Sequence, residues 1–438
     1  MVLVEDESHS DYVLRTAEKR GVRFIRLWFV DVLGLLKSSA IPVSELEQAL
    51  AEGVSLDGSS LEGSVRMRER DVIAHPDPQT FQVLPWRPGS LVGRMFCDVR
   101  LPDGSPFPAD SRHALRRTLD RAAELGYGFL VGPEIEFFLF DAPGDGGEPR
   151  TLDDGAYFDL TTLDDGSDFR RRTIEYLEQM GIPVKASHHE VAASQHELDL
   201  RHTDALSMAD AVTTFRLTVK EVARELGVFA TFMPKPLDQS AGSGMHLHLS
   251  LFAGERNAFH SDDPDEPLSE LGRCFLAGVL AHAPELCAAT NQWVNSYKRL
   301  RCGFEAPAHA SWTRDGLAAL VRVPSARPGK EAAARIELRS PDSACNPYLT
   351  FALVLAAGLR GIERGYEPPA ELGGERTEPP RLPTELRDAT DLFESSELVR
   401  DTLGDELCET YARNKRREWD AHQEIVTEYE RRTLLRLV

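Results

Sequence analysis

The stretch GSGMHLHLSLF, residues 242–252, alternates apolar and polar side chains in the way that a strand with one buried face does. One face would carry four apolar residues, and the other would carry two imidazoles and a hydroxyl: Met245, Leu247, Leu249 and Leu251 on the first, His246, His248 and Ser250 on the second. For a single strand, a solvated polar surface is an alternative interpretation. Other parts of the sequence are needed to distinguish a solvated polar surface from a binding site.

Two further stretches show the same division into an apolar back and a charged front. In EIEFF, Glu134 and Glu136 leave the same face of a strand, and in RIELR the charged Arg335, Glu337 and Arg339 do likewise. Three such strands favour one shared polar cavity over three unrelated surfaces. Carboxylates that face each other across a cavity repel, so the pattern predicts cations or protons between them.

The types of side chain indicate which cation. The segment HHEVAASQHE, residues 188–197, adds Glu190 and Glu197, but it lacks the HExxH spacing of a zinc protease. Many carboxylates with about one imidazole suit Mg²⁺ or Mn²⁺, whereas a zinc site would more often show additional His or Cys. We therefore predict hard divalent cations.

The length, charge and cysteine content of the chain limit the class of protein. Among 438 residues, 71 acidic side chains against 50 basic ones give a net charge of −21, which argues against nucleic acid as the main partner. Six cysteines without a CxxC spacing predict reduced thiols and favour the cytoplasm. The N-terminus lacks the pattern of a signal peptide, and the longest apolar run, residues 348–359, is too short to span a bilayer. We expect a buried helix there and no membrane partner.

Clustered Pro and Gly in PDGSPFP suggest a domain boundary near residue 105. We expect a small mixed unit over residues 1–105 and a larger unit over residues 106–438, so the predicted fold class is α+β. Before the boundary we expect two strands around a turn at Asp31 to Gly34, and a helix over 44–53 that Ser44 caps and Gly53 ends. Further helices are predicted over residues 9–20, 110–125, 167–180, 203–226 and 268–290.

The GxxxxGK type of phosphate-binding loop is missing from the sequence. Gly329 and Lys330 do not complete a GxxxxGK motif, because Pro324 stands where the first glycine would be. Bound nucleotide would therefore need arginines and metal ions, and Arg299, Arg322, Arg335 and Arg339 are candidates. The alternative for each arginine is a surface salt bridge.

Taken together, the motifs resemble the glutamine synthetase family, bacterial type I class. They follow in the family's order along nearly the whole chain: LDGSS (56–60), GPEIEFFLF, SHHE with QHE, FMPKP with GSGMHLHLS, NSYKRL with GFEAP, VRVP, and RIELRSPDSACNPYL. SHHE, QHELDLR and RSPDSACNPYLTF look most similar to actinobacterial paralogues, some of which join glutamate to polyamines.

The resemblance implies a small N-terminal β-grasp domain, which completes the active site of the neighbouring subunit, and a large catalytic α+β domain. It implies a homo-oligomer, a dodecamer of two hexameric rings. The implied reaction is an ATP-dependent ligation in two steps: ATP phosphorylates the γ-carboxylate of glutamate, and ammonia or an amine then attacks the acyl phosphate.

The resemblance also assigns roles to residues, with two or more Mg²⁺ or Mn²⁺ ions in each site. One ion beside the ATP phosphates would be held by Glu134, His246 and Glu337. One on the glutamate side would be held by Glu136, Glu190 and Glu197.

Substrate contacts are implied in the same way. The nucleotide would contact His248, Ser250, Lys330 and Arg335, while Arg322 and Arg335 would stabilise the transferring phosphoryl group. Glutamate would contact Arg299, Gly242 and Arg339. Asp57 would deprotonate the amine together with Asp71, in a pocket with Tyr157 and Ser60, and Glu305 would lie on a flap that excludes water.

Several positions depart from the family pattern. Leu317 and Ala334 stand where most members carry phosphate-binding arginines, and Arg314 lies near the first of them. Ala241 replaces an Asn before Gly242, Ser64 replaces an aromatic residue, and Lys185 replaces a Glu. Three functions therefore stay open: ligation of glutamate, or a related acyl donor, to ammonia; ligation to a polyamine or other primary amine; and a nucleotide-binding or regulatory paralogue with weak turnover.

Overall fold

A computed structural model describes residues 8–63, 69–87, 89, 91–141, 149–160, 166–263, 266–301, 306–325, 329–372 and 379–438. Within these ranges the strands form a 6-stranded and a 10-stranded sheet. The helices are α1 (His9–Arg20), α2 (Leu46–Glu52), α3 (Ser111–Glu124), α4 (Ser167–Gln179), α5 (Ala205–Leu226), α6 (Glu270–Thr290), α7 (Ser296–Arg301), α8 (Pro347–Arg364), α9 (Leu386–Ser395), α10 (Glu397–Leu403), α11 (Asp405–Gln423) and α12 (Glu428–Leu434).

The strands of the first sheet are β1 (Phe24–Val30), β2 (Leu36–Pro42), β3 (Val54–Asp57), β4 (Asp71–Pro76), β5 (Gln82–Val83) and β6 (Val92–Arg100). Those of the second are β7 (Gly128–Phe140), β8 (Val184–His189), β9 (Gln195–Leu200), β10 (Thr203–Asp204), β11 (Phe229–Thr231), β12 (Met245–Ala253), β13 (Arg256–Asn257), β14 (Trp312–Thr313), β15 (Val321–Arg322) and β16 (Ile336–Leu338). The predicted α+β class is confirmed.

The smaller sheet has the order β2-β1-β6-β4-β3, with β1 antiparallel to β2 and parallel to β6. Its predicted turn is confirmed: Asp31 Oδ1 accepts hydrogen bonds from the backbone N–H groups of Leu33 and Leu35, and Gly34 has φ 74°. A Cβ on Gly34 would lie 2.8 Å from the Cα of Asn346, so the turn also needs a glycine for close packing.

The predicted cap at Ser44 is wrong. A short 3₁₀ turn, Val43–Glu45, precedes α2, which begins at Leu46 without a side-chain cap, because the chain leaves β2 at Pro42 and tightens before it becomes α-helical. The predicted end at Gly53 is confirmed, with its backbone N–H bonded to the carbonyl of Ala49. Elsewhere the predicted starts of α1 and α4 are confirmed, and those of α3, α5 and α6 shift by one or two residues, as at α5, where Asp204 is the cap.

The main path of the larger sheet has the order β14-β15-β16-β12-β7-β9-β8. The apolar run at 348–359 lies in α8 and is buried throughout, as predicted. In the described ranges no helix combines the length and apolarity needed to cross a membrane. The five cysteines in those ranges are free thiols.

Buried ion pairs join the two sheets' domains. Arg112 in α3 pairs with Asp77 and Asp98 of the smaller domain and with Asp210 in α5. A hydrogen bond from Asn346 Nδ2 to the carbonyl of Val32 adds to this contact. The smaller domain is thus fixed against the helices that support the larger sheet.

Candidate active site

The polar face of the larger sheet is built by strand pairing. Along β12, Met245 and the three leucines are fully buried, while the alternate side chains are half-buried. The antiparallel register places His246 opposite Glu134 on β7 and His248 opposite Glu337 on β16. The predicted polar fronts of three separate strands therefore lie side by side on one sheet face.

Glu134, His246 and Glu337 form a compact cluster on this face. The Nδ1 atom of His246 lies 3.7 Å from Glu134 Oε2 and 3.7 Å from Glu337 Oε1. One potential ligand atom from each of the three residues lies within 4.8 Å of the others. Two carboxylates and one imidazole at this spacing fit a hard divalent cation.

Both carboxylates of this cluster are held in the charged form. Burial opposes ionisation of Glu134, but hydrogen bonds from His246 and His248 outweigh it, and the pKa of Glu134 lies below its ordinary value. Burial also opposes ionisation of Glu337, yet His246 and Arg339 lower its pKa. Ionised carboxylates are the form that a cation requires.

His248 connects Glu134 to an arginine. Arg335 donates from Nε to His248 Nδ1 at 3.0 Å, so the ring proton of the neutral imidazole is on Nε2. That nitrogen lies 2.6 Å from Glu134 Oε1 and donates to it. With both nitrogens engaged, His248 orients Glu134, and this arrangement leaves metal binding to His246.

Two arginines flank Glu337. Arg322 donates from Nη1 to Glu337 Oε2 at 3.1 Å, and Arg339 donates from Nε to Glu337 Oε1 at 2.7 Å. Because guanidinium groups carry a permanent positive charge, this edge of the cluster suits an anion such as a phosphate or a carboxylate.

A second group of carboxylates lies farther along the same face. Glu136 on β7 stands opposite Glu197 on β9, and Glu136 and Glu190 line a small cavity of about 60 Å³. Burial, and then the charges of Glu136 and Glu190, raise the pKa of Glu197 well above its ordinary value. Such mutual repulsion is relieved by a cation, so this set also fits the predicted chemistry.

His188 belongs to this second group, and the sequence analysis missed its role. Its Nδ1 lies 3.5 Å from Glu190 Oε1 and its Nε2 lies 3.2 Å from Glu197 Oε1. The ring of Tyr157 packs edge-on against it at 5.5 Å, which places the predicted amine-pocket residue beside these carboxylates. The signal was present in SHHE: if β8 pairs with β9, period two puts His188 on the face of Glu197.

Behind β8 and β9 lies a buried polar cluster. His189 contacts Asp153 Oδ1 through Nε2 at 2.9 Å and the carbonyl of Glu190 through Nδ1 at 2.7 Å. Arg170 donates to Nδ1 of His196 at 2.9 Å, which leaves the proton of a neutral imidazole on Nε2. Although Asp153, His189 and His196 are close enough to hold a metal, that proton argues against it. The cluster instead supports the backbone that carries Glu190.

A cavity of about 350 Å³ opens beside the first cluster. Three of the predicted nucleotide residues, His248, Ser250 and Arg335, line it. Lys185 also lines it, as does Ala334. Lys330 is exposed at the start of the 3₁₀ turn Glu331–Ala333 and is not among the lining residues.

The predicted glutamate residues Arg299 and Gly242 line the small cavity together with Glu136. Arg299 is buried and donates to the backbone carbonyls of Ser340 and Arg339 at 2.8 and 3.1 Å. Gln195, which the sequence analysis did not select, donates to Glu136 Oε2 at 2.9 Å and to the carbonyl of Gly242 at 3.2 Å. It therefore ties the carboxylate group to the Gly242 loop.

Asp57 and Asp71 face each other at the edge of the smaller sheet, where β3 pairs with β4. Asp57 accepts a hydrogen bond from the backbone N–H of Ser59, and Ser60 Oγ donates to the carbonyl of Asp57. Glu305 and Ser64 lie outside the described residues.

The structure shows the surroundings of Leu317, which departs from the family pattern, and of the nearby Arg314. Leu317 is 57% exposed, and its carbonyl accepts a hydrogen bond from Arg339 Nη1 at 3.1 Å. Arg314 pairs with Glu371 at 3.5 Å, so it is engaged elsewhere.

Family models for two domains match the chain: "Glutamine synthetase, beta-Grasp domain" over residues 21–102 and "Glutamine synthetase, catalytic domain" over residues 108–434. A glutamine synthetase from Mycolicibacterium smegmatis is 54% identical over 98% of this chain and 100% of the relative. The solved complex of a protein named GmaS with ADP has 33% identity and a TM-score of 0.88, covering 97% of this chain and 99% of that one. A Plasmodium falciparum glutamine synthetase structure has 24% identity and a TM-score of 0.89, covering 99% and 100%, which concerns the fold alone.

The β-grasp domain joined to this catalytic domain defines the class of protein, an ATP-dependent ligase. The chain belongs to the glutamine synthetase family. The predicted β-grasp fold of the N-terminal domain is confirmed, and so is the predicted family. The actinobacterial subtype stays a prediction.

Proposed function

We propose that the protein synthesises glutamine from glutamate, ATP and ammonia with the help of two or more divalent cations, Mg²⁺ or Mn²⁺, at each site. The observation that carries this proposal is the convergence of Glu134, His246 and Glu337 beside a nucleotide-sized cavity. The second carboxylate group lies on the same sheet face. The 54% identity to a glutamine synthetase over nearly the whole chain supports ammonia as the acceptor.

The nucleotide would lie in the cavity beside β12, between His248 and Arg335. Bound cations would neutralise the phosphates and the carboxylates of glutamate. Arg335 points its Nε at His248, and Arg322 and Arg339 reach Glu337, so guanidinium charge is already ordered next to the cavity. Preordered positive charge is what phosphoryl transfer between two anions needs.

Lys185 adds a cation to this cavity at a position where the family usually has Glu. Its Nζ lies 3.4 Å from Asp199 Oδ2, and its side chain is 56% exposed, so it is free to move toward a phosphate. We propose that Lys185 compensates in part for Ala334 and Leu317. This argues against a paralogue with weak turnover.

Glutamate would bind at the small cavity, with its α-carboxylate at Arg299, its amino group at the carbonyl of Gly242 and its γ-carboxylate near Arg339. In the first step a γ-carboxylate oxygen attacks the terminal phosphorus of ATP, the bond to the bridging oxygen breaks, and ADP leaves. In the second step ammonia attacks the acyl carbon and phosphate leaves with the C–O bonding electrons.

Ammonium has to lose a proton before it can attack. The carboxylates of Glu190 and Glu197, with His188 and Tyr157 beside them, would attract the cation, and Asp57 with Asp71 would accept the proton. Asp57 would come from a neighbouring subunit in a homo-oligomer, with the dodecamer as the proposed form, and Glu305 would shield the acyl phosphate.

Phosphate release tests this function. The protein would be incubated with Mg²⁺, ATP and glutamate, and ammonium, putrescine, spermidine and ethanolamine would be compared as acceptors. We expect phosphate release with ammonium, matched mole for mole by glutamine. Release only with a polyamine would overturn the ammonia assignment, and no release with any amine would leave a nucleotide-binding paralogue. A Glu337→Gln variant serves as the inactive control.

A further inference from the structure

A third and larger cavity shares no lining residue with the two cavities of the proposed active site. Its volume is about 630 Å³, and it lies between the Leu33–Leu36 turn of the smaller domain, the helix α5 and the residues 231–234 and 293–295. Most of its walls are apolar, among them Leu217, Phe232 and Trp293.

Two cations on consecutive turns of α5 contribute the main polar feature of this cavity. Arg216 and Lys220 are four residues apart, so both side chains lie on the same face of the helix. Arg216 Nη2 donates to the carbonyl of Cys345 at 2.8 Å, but its buried Nε has no hydrogen-bond partner among the described residues. Arg216 forms no ion pair within the described residues, so its charge borders the cavity without a neutralising partner.

Among the described residues that line the cavity, no acidic side chain pairs with Arg216 or Lys220. Glu418 is the acidic residue that lines the cavity, and it is engaged by Lys415 Nζ at 2.7 Å and by the backbone N–H of Val294 at 2.9 Å. In the parts of the chain that the structure describes, Lys220 forms no ion pair; its Nζ lies 6.0 Å from the ring of Phe232. Lys220 is exposed and lines the cavity, so its ammonium group is accessible to a ligand.

We propose that this cavity binds a small carboxylate with an apolar body, its head at Arg216 and Lys220 and its body against Leu217, Phe232 and Trp293. The volume accommodates a ligand of roughly drug size, and apolar walls with a few polar groups are typical of such sites. The charge of the head distinguishes this ligand from a neutral apolar molecule.

The cavity wall is continuous with the proposed glutamate site. The carbonyl of Pro234 accepts a hydrogen bond from the N–H of Ser243 at 2.9 Å, and a Cβ on Gly242 would lie 2.3 Å from that carbonyl. Asn295 exchanges two hydrogen bonds with the backbone of Lys235, at 2.7 and 3.0 Å. We therefore expect the bound carboxylate to change the KM for glutamate, a consequence that rests on the proposed function.

Calorimetric titration of the full chain with octanoate tests the site, with octanamide as the neutral probe of the same length. We expect octanoate to bind about tenfold or more tightly than octanamide, and Lys220→Glu to remove this preference. Arg224→Glu is the matched control, because it makes the same charge change one turn farther along α5, where Arg224 pairs with Glu221 outside the cavity. Arg216→Met is the second variant, checked for folding by its circular dichroism.

Equal binding of octanoate and octanamide, or undiminished octanoate binding by Lys220→Glu, would overturn the carboxylate site. An equal loss of binding in Arg224→Glu would also overturn it, because the effect would then be one of net charge. Binding is measured without ATP or glutamate, so a protein that fails to make glutamine can still confirm the site. A changed KM for glutamate in the presence of octanoate tests the coupling separately.

Discussion

Glu136 lies directly opposite Glu197 on the neighbouring antiparallel strands β7 and β9. Both side chains are buried, and the surroundings raise the pKa of Glu197 through burial and the charges of Glu136 and Glu190. Two buried carboxylates this close together destabilise the folded state, and a bound cation would offset that cost.

Removing the charge of Glu197 should have opposite effects with and without a divalent cation. In EDTA we expect Glu197→Gln to be at least as stable as the wild type, because repulsion with Glu136 and Glu190 is relieved. With saturating Mg²⁺ the wild type should gain about 2–4 kcal/mol and the variant much less. Thermal unfolding in both conditions measures this. A variant less stable than the wild type in EDTA would contradict the repulsion.

The buried cluster behind β8 should tolerate no added methyl group. A Cβ on Gly155 would lie 2.4 Å from His189 Nε2, so Gly155→Ala should push His189 from Asp153 and cost about 1–3 kcal/mol of unfolding free energy. Because His189 holds the carbonyl of Glu190, affinity for Mn²⁺ should fall as well. Gly89→Ala is the control, since a Cβ there meets nothing within 4 Å. Equal stability of the two variants in urea unfolding would contradict the close packing.

Lys185 should contribute to nucleotide binding, and Lys330 should contribute less. Lys185 lines the cavity proposed for the nucleotide, whereas Lys330 is exposed outside its lining. We expect Lys185→Met to raise the KM for ATP about threefold to tenfold, which corresponds to about 1 kcal/mol for a partly solvated charge. Lys330→Met is the matched variant in the same steady-state assay. The reverse order of effects would show that Lys185 does not compensate for Ala334.

The ion pairs between the two domains should make stability depend on acid pH. Burial opposes ionisation of Asp98, but Arg112 and Arg116 outweigh it and lower its pKa. A carboxyl with a lowered pKa stabilises the folded state above its ordinary pKa near 4, and this contribution is lost as the pH falls through the lower folded value. Asp98→Asn should therefore cost about 1–3 kcal/mol at pH 7 and progressively less in acid. Urea unfolding of both proteins from pH 7 to about pH 3 checks whether their unfolding free energies converge in acid. A difference between the two free energies that grows as the pH falls would contradict the prediction.

Period-two alternation was enough to predict which side chains share a strand face. It placed His246 with His248 and Glu134 with Glu136 correctly, because burial of Leu247 and Ile135 fixes the orientation of each strand. The order of the strands in the sheet depends on long-range pairing, which a single sequence does not encode locally. For this reason the sequence alone does not predict the contacts of His188 and Gln195 with the carboxylates of the second group.

The resemblance to a family supplied what the residues alone left open, the fold of the first domain and the reaction class. It could not predict local replacements. Lys185 departs from the family pattern, and only the pairing of β8 with β9 brings it beside Asp199 at the cavity proposed for the nucleotide. The domain boundary near residue 105 and the roles of Asp57 and Glu305 stay predictions.

Separate strands gather two carboxylate groups, and we propose that each group binds a divalent cation. Calorimetric titration of Mn²⁺ into the metal-free protein measures the number of ions per chain most directly. We predict at least two, with one lost in Glu337→Gln and a different one lost in Glu197→Gln, so that the double variant loses both. A single ion per chain, or an unchanged number in both variants, would contradict the claim.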